Sequence, residues 1–282
     1  MTSTLVPKKD RNFVLSLKEK NLFKSLESLS IKDYRQGKPS AKIRLVGPAG
    51  CGKTSMASQF AAIFKRPLFV IDCQTLREPL SLFGNRTVDK EGIKWVFSQF
   101  VKAIRTPRSV VLMDEANRVA PNSLNTALPL LDHRGKMFFD EAGEEIKVAA
   151  GVTFFATLNE GSQYTGTEAI DAALKERFGY ILNVDYLTPK KEEKMLVKKF
   201  GIPSDVSQKL VRVANVVREK QANGIFINSL STRVLETAAE LWNVGKDKTL
   251  NYSIANQFPD DKTGDSERNL VIDLLKGVGF KL

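Results

Sequence analysis

Residues 46–55 read Val46-Gly47-Pro48-Ala49-Gly50-Cys51-Gly52-Lys53-Thr54-Ser55, a glycine-rich turn closed by a lysine and two hydroxyls. Glycines at this spacing let backbone N–H groups curl around phosphate oxygens with no side chain in the way. Lys53 is then placed to reach the β- and γ-phosphates of a nucleoside triphosphate, and the Thr54 hydroxyl to hold Mg²⁺. The four fixed positions of this pattern would match by chance in on the order of one chain per hundred of this length. Gly47 through Ser55 are therefore the candidate nucleotide-binding residues.

A second constellation lies at Asp114 and Glu115. In SVVLMDEA four apolar residues lead into the two carboxylates, which places them at the carboxyl end of a buried strand, where open α/β sheets bind ligands. Asp114 is suited to orient a magnesium ion and its waters, and Glu115 to polarise an attacking water as general base beside a γ-phosphate. An acidic strand end that meets solvent would be spelled the same way, and the preceding loop separates the two readings. Asn159 closes another β-type run, and its neutral amide can hydrogen-bond a γ-phosphate and a water without adding negative charge. Taken alone it would be an ordinary turn residue; its place one strand beyond Asp114 raises it.

These groups need a scaffold that gathers them. Short β-rich runs occur at IRLV (43–46), LFVIDC (68–73), SVVLMD (109–114), VTFFATLN (152–159) and YILNVDY (180–186), separated by helical or turn-rich sequence. Strands alternating with helices predict an α/β fold with a five-stranded parallel sheet covered by helices. Thr54 to Phe64 predicts the helix after the loop, its positive N-terminal dipole facing the phosphates. Between Asn12 and Ser30, Leu15, Leu22, Phe23, Leu26 and Leu29 approximate one stripe of an amphipathic helix, and DYRQGKPSAK (33–42) reads as a connector. A helix capped by Asn122 or Ser123 and carrying Leu124, Leu128 and Leu131 precedes KMFFDEAGEEIKV (136–148), whose two β-like arms around Ala142 and Gly143 predict an inserted hairpin. Beyond Thr188-Pro189, a cap followed by a first-turn proline, the remaining spacing is helical. The expected organisation is an N-terminal helix and connector (1–40), a nucleotide-binding core (41–187) and a small all-helical domain (188–282).

Bulk properties narrow the class. The chain has 282 residues, 42% hydrophobic and 27% charged, and no apolar run approaches the ~20 residues of a membrane span. MTSTLVPKKDRN lacks the apolar centre of a secretory signal, so the expected location is the cytoplasm. Cys51 and Cys73 have no metal or disulfide spacing, and a single histidine, His133, excludes a multi-histidine metal site. The net charge is +11, and residues 1–44 hold eleven Lys and Arg against four Asp and Glu, or +7. Such a segment suits an acidic partner, nucleic acid first among them; a solvated helical face would carry the same charge, and no aromatic–basic motif accompanies it.

Taken together, GPAGCGKT (47–54), VVLMDEANRV (110–119), the insert near 136–148, FFATLN (154–159), YTGTEAIDAALKERF (164–178) and LSTRVLETAAEL (230–241) resemble the AAA+ ATPases. The finer spelling is similar to the MoxR-type branch, which includes the cobalt-chelatase small subunit, the nitric-oxide-reductase and Rubisco activation ATPases and the gas-vesicle ATPase. The resemblance implies a P-loop core with a helical lid, ATP as the nucleotide and Mg²⁺ as its companion. It also implies that Arg177, in DAALKERF, is donated to a neighbouring subunit's γ-phosphate, and hence a homo-oligomeric ring, most often of six. Arg233, in SLSTRVLE, matches the lid arginine that senses the γ-phosphate, on a helix that Ser229 or Ser231 could cap. Taken without the resemblance, Arg177 would be read as a surface ion pair with Glu176 and Arg233 as a solvated charge. Many members place proline after the sensor asparagine, where this chain has Glu160.

The expected function is Mg-dependent ATP hydrolysis driving the remodelling of a protein client, with a partner carrying a von Willebrand A domain as the resemblance implies. The alternative is a nucleic-acid motor or loader of the same architecture, working in replication, repair or restriction.

Overall fold

The structure is a computed structural model that describes residues 5–90, 92–119, 121–159, 171–260 and 266–282. Glu160 and residues 164–170 of the resembling segment lie outside the described residues. The described strands are β1 (Lys42–Val46), β2 (Leu68–Asp72), β3 (Gly84–Asp89), β4 (Gly92–Phe97), β5 (Val110–Asp114), β6 (Lys136–Phe139), β7 (Glu144–Lys147), β8 (Thr153–Leu158) and β9 (Tyr180–Asn183). Five of them form one sheet in the order β2-β5-β8-β1-β9, with every neighbouring pair parallel. These are the five strands expected from the sequence. Four residues of β5 and all six of β8 are buried, the continuous apolar reading of strands covered on both faces.

The helices are α1 (Leu17–Arg35), α2 (Lys53–Ile63), α3 (Gln99–Arg105), α4 (Pro121–Asn125), α5 (Leu128–Leu131), α6 (Ala172–Arg177), α7 (Pro189–Phe200), α8 (Ser204–Ala222), α9 (Thr232–Gly245), α10 (Leu250–Ser253) and α11 (Glu267–Gly277). The N-terminal helix begins later than its apolar spacing suggests, because a capping box sets its start: Glu19 N–H donates to Ser16 Oγ at 3.2 Å, and Ser16 N–H to Glu19 Oε2 at 2.6 Å. The single helix expected after Asn122 is two short ones, broken at 126–127, where Pro129 has no N–H to continue the ladder.

By internal contacts the chain divides into two compact units. The first is Met1–Asp10, Leu15–Gly47 and Lys53–Val184; the second is Arg11–Val14, Pro48–Gly52 and Asp185–Leu282. In the first unit α1 is tied to the sheet by buried charge. The Arg66 guanidinium, 1% exposed, bonds Glu27 Oε2 at 3.2 Å and the carbonyls of Arg108, Ser109 and Gly151, while Arg108 pairs with the other Glu27 oxygen. In the second unit fully buried Glu192 of α7 takes a bidentate pair from Arg218 of α8 at 2.8 and 2.9 Å and a 2.6 Å bond from the Thr232 hydroxyl, which fixes the first turn of α9.

Two antiparallel hairpins project from the first unit. β6–β7 is the expected insert, turning through Gly143 at φ +65°. β3–β4 was not expected. Trp95 and Phe97 at its base pack edge-on and tilted against Phe139 of β6, with ring centroids 5.0 and 6.4 Å away, whereas the Val88–Ile93 pair near its tip stands exposed.

Candidate nucleotide site

Sheet order explains why residues far apart in sequence meet. β8 lies between β5 and β1, so the carboxyl ends of β1, β5 and β8 adjoin, and each carries part of the constellation. From the end of β1 the chain runs through Gly50 at φ +69° and Gly52 at φ +98°, left-handed conformations that favour glycine, into α2 at Lys53. The Lys53 ammonium, 7% exposed, donates to the Gly47 carbonyl and to Asn159 Oδ1, each at 2.7 Å. The Thr54 hydroxyl donates to the Asp114 carboxylate, 3.0 Å to Oδ1 and 3.1 Å to Oδ2. Lys53, Thr54, Asp114 and Asn159 are thus brought together. Cys51 is half-buried in the loop, and Ser55 is exposed in the first turn of α2.

Glu115 follows Asp114 in a left-handed conformation, φ +53°. A non-glycine residue held there costs of order 1 kcal/mol or more and persists only where the surroundings impose it. Here the Thr157 hydroxyl imposes it, accepting from Glu115 N–H at 2.8 Å and donating to Asp114 Oδ1 at 2.5 Å. The Glu115 carboxylate is held by the Gln74 amide and by Arg118 Nε at 3.1 Å. Behind it the Asn117 amide bonds the backbone of Asn159. Sequence reasoning missed Gln74, Asn117, Arg118 and Thr157.

Carboxylates set the electrostatics at these strand ends. Burial first, and then Asp114, Asp72 and Glu115, push the Cys73 thiol up to about 12. The hydroxyl and carboxylate oxygens of Thr54 and Asp114 fit Mg²⁺, a hard ion bound through few protein oxygens while the rest of its shell stays with water and phosphate. Among the described residues no group of three or more His, Cys, Asp or Glu forms a denser metal cage.

The two arginines lie on different helices, one in each unit. Arg177 ends α6 in the first unit, its Nη1 donating to the Ala173 carbonyl at 3.1 Å, and its buried Nε has no partner among the described residues. Arg233 is in the first turn of α9, behind Ser231, whose hydroxyl caps the helix by accepting from Val234 N–H at 3.3 Å. Within the second unit, a Cβ on Gly50 would lie 2.6 Å from Ser231 Cβ and 3.5 Å from Arg233 Cβ, so only glycine fits there.

A family profile described as AAA domain, dynein-related subfamily, matches residues 42–178, and one described as CbbQ/NirQ/NorQ C-terminal matches residues 192–267. The chain is 32% identical over 236 residues to "Putative chaperone BssE" of Thauera aromatica, covering 83% of this chain and 80% of that one. The chain belongs to the MoxR-type AAA+ ATPases. Protein CbbQ of Hydrogenophilus thermoluteolus is 27% identical over 201 residues, 71% of this chain and 74% of that protein. Protein NorQ of Paracoccus denitrificans is 26% identical over 221 residues, 78% and 80% of the two chains. The fold is that of a solved Thermotoga maritima RuvB Holliday junction branch migration motor, with a TM-score of 0.56 at 14% identity over 97% of this chain and 72% of that one. This MoxR-type protein is an ATP hydrolase. None of its described helices is long and apolar enough to cross a membrane.

Proposed function

We propose that this MoxR-type ATPase works in the cytoplasm as a ring of six copies, whose subunits hydrolyse ATP at shared boundaries to remodel a protein client or a partner with a von Willebrand A domain.

 The reading is carried by one observation, the convergence of Lys53, Thr54, Asp114 and Asn159 at the adjoining ends of β1, β5 and β8. Lys53 and the loop from Gly47 to Ser55 cradle the triphosphate, with Pro48, Ala49 and Cys51 shaping the turn between the glycines. Thr54 and Asp114 hold Mg²⁺, which when bound offsets the charge that develops on the phosphoryl oxygens. Glu115 accepts the proton of the attacking water, and the Asn159 amide bonds the γ-phosphate and that water. Arg177 completes the neighbouring subunit's site, and Arg233 links γ-phosphate contact to movement of the helical domain. The name "putative chaperone" of the BssE relative supports a protein client. The likeness to RuvB is a likeness of fold and does not favour the nucleic-acid alternative.

The test uses the full chain. Glu115→Gln is expected to lose turnover while retaining bound ATP, and to sediment as a ring in ATP, with wild-type turnover unchanged by DNA. Full turnover in Glu115→Gln, a strictly monomeric active enzyme, or ATPase stimulated by DNA in a salt-sensitive way would each overturn the reading.

A further inference from the structure

The side chain of Asn117 stands in for a strand that has ended. The parallel β5–β8 register runs from Val110 opposite Thr153 to Met113 opposite Ala156, after which the chain turns away through the left-handed Glu115. One backbone bond continues the ladder, from Ala116 N–H to the Thr157 carbonyl at 3.0 Å. Beyond it a side-chain amide takes over. Asn117 Nδ2 donates to the Asn159 carbonyl at 2.8 Å, and Asn159 N–H donates to Asn117 Oδ1 at 3.3 Å. A carboxamide offers the same donor and acceptor as a peptide group, so it satisfies both backbone groups of Asn159 as a neighbouring strand would. Both residues are 5% exposed, which leaves little room for water to compete.

We propose that Asn117 is a positioning residue: it fixes the backbone of Asn159 so that the Asn159 side chain, bonded to Lys53 at 2.7 Å, faces the triphosphate, and it ties that placement to the Glu115 turn two residues away. The inference rests on the role given to Asn159 above. No other side chain substitutes well. Aspartate loses the donor and sets a carboxylate against the Asn159 carbonyl, and leucine keeps the volume but leaves two buried backbone groups unpaired.

The experiment compares Asn117→Asp, Asn117→Leu and Asn159→Ala in the full chain, reading turnover, affinity for ADP, affinity for a non-hydrolysable ATP analogue, and thermal unfolding. Asn117→Asp is expected to lose about 10- to 100-fold in turnover and analogue affinity, the worth of a hydrogen bond to a charged group, with ADP affinity within about threefold of wild type. Asn159→Ala should give the same pattern, and combining it with Asn117→Leu should add nothing further. If Asn159→Ala shows the loss while both Asn117 variants match wild type, the inference fails and the role of Asn159 stands. A silent Asn159→Ala overturns both. Equal loss of ADP and analogue affinity with early unfolding in Asn117→Asp also overturns the inference, because Asn117 would then be holding the fold together. Should Asn117→Leu fail to fold, Asn117→Asp and Asn117→Ser carry the same readouts.

Discussion

Replacing Glu27 with glutamine tests whether α1 belongs to the nucleotide-binding core. Glu27 neutralises two arginines at once, and one of them, Arg66, has a side chain only 1% exposed. Burial pushes the Arg66 guanidinium down to about 10, so it is still protonated at neutral pH, and glutamine would face it with no charge. Removing one partner of a buried pair costs about 3–5 kcal/mol. Glutamine keeps an acceptor oxygen and the carbonyls of Arg108, Ser109 and Gly151 remain in place, so the lower end, about 3 kcal/mol, applies. For a unit of this size about 1 kcal/mol moves the midpoint by roughly 2–4 °C, giving an expected fall of about 6–12 °C. Differential scanning calorimetry of the intact chain reads the shift, and hydrogen exchange at Phe23 and Leu26 reads release of α1. A fall below about 2 °C, with exchange in α1 unchanged, would refute the claim that this charge network anchors the helix.

Two further outcomes are expected. Arg177→Ala and Lys53→Ala subunits, each inactive alone, should recover part of the turnover when mixed, because random assembly pairs an intact loop with an intact neighbouring arginine at about one boundary in four; no recovery would place Arg177 outside the neighbour's site. The Cys73 thiol, raised by burial and by nearby carboxylates to about 12, stays protonated in the fold while the unfolded chain ionises near 8.5. Its contribution to stability is therefore present below about pH 8.5 and is lost as pH climbs toward 12. Iodoacetamide at pH 8.5 should leave Cys73 unmodified in the folded chain over a period that fully labels it in urea, and equal labelling read by mass spectrometry would contradict this.

The parallel sheet was legible because each strand is a short apolar run between helical stretches, as in VVLMD and TFFATL. The β3–β4 hairpin was not. One of its faces carries Arg86 between Gly84 and Val88, the other pairs Thr87 with Lys94, and neither shows the alternation of a half-buried strand. Within the site, Lys53, Thr54, Asp114 and Asn159 could be singled out by type and by their place after apolar runs. Thr157 and Asn117 could not, since their contacts depend on the β5–β8 register, and in sequence one resembles a core β-branched residue and the other a turn asparagine. Arg66 was equally silent: following a helix it reads as solvated, and only the fold brings Glu27 to it.

The β3–β4 ribbon has a practical corollary for protein engineering. Its root is clamped by Trp95 and Phe97 on Phe139, and Gly84 there admits no side chain, since a Cβ would sit 2.1 Å from the Val96 carbonyl oxygen. Among the described residues no aromatic clamp of this kind lies at its outer end, where Val88 and Ile93 are exposed. Trimming or extending both arms by two residues keeps the residues beyond the change on their present faces, whereas a change of one residue per arm moves each of them to the other face. The ribbon can therefore be resized in paired steps, as a ruler for how far its outer end must reach.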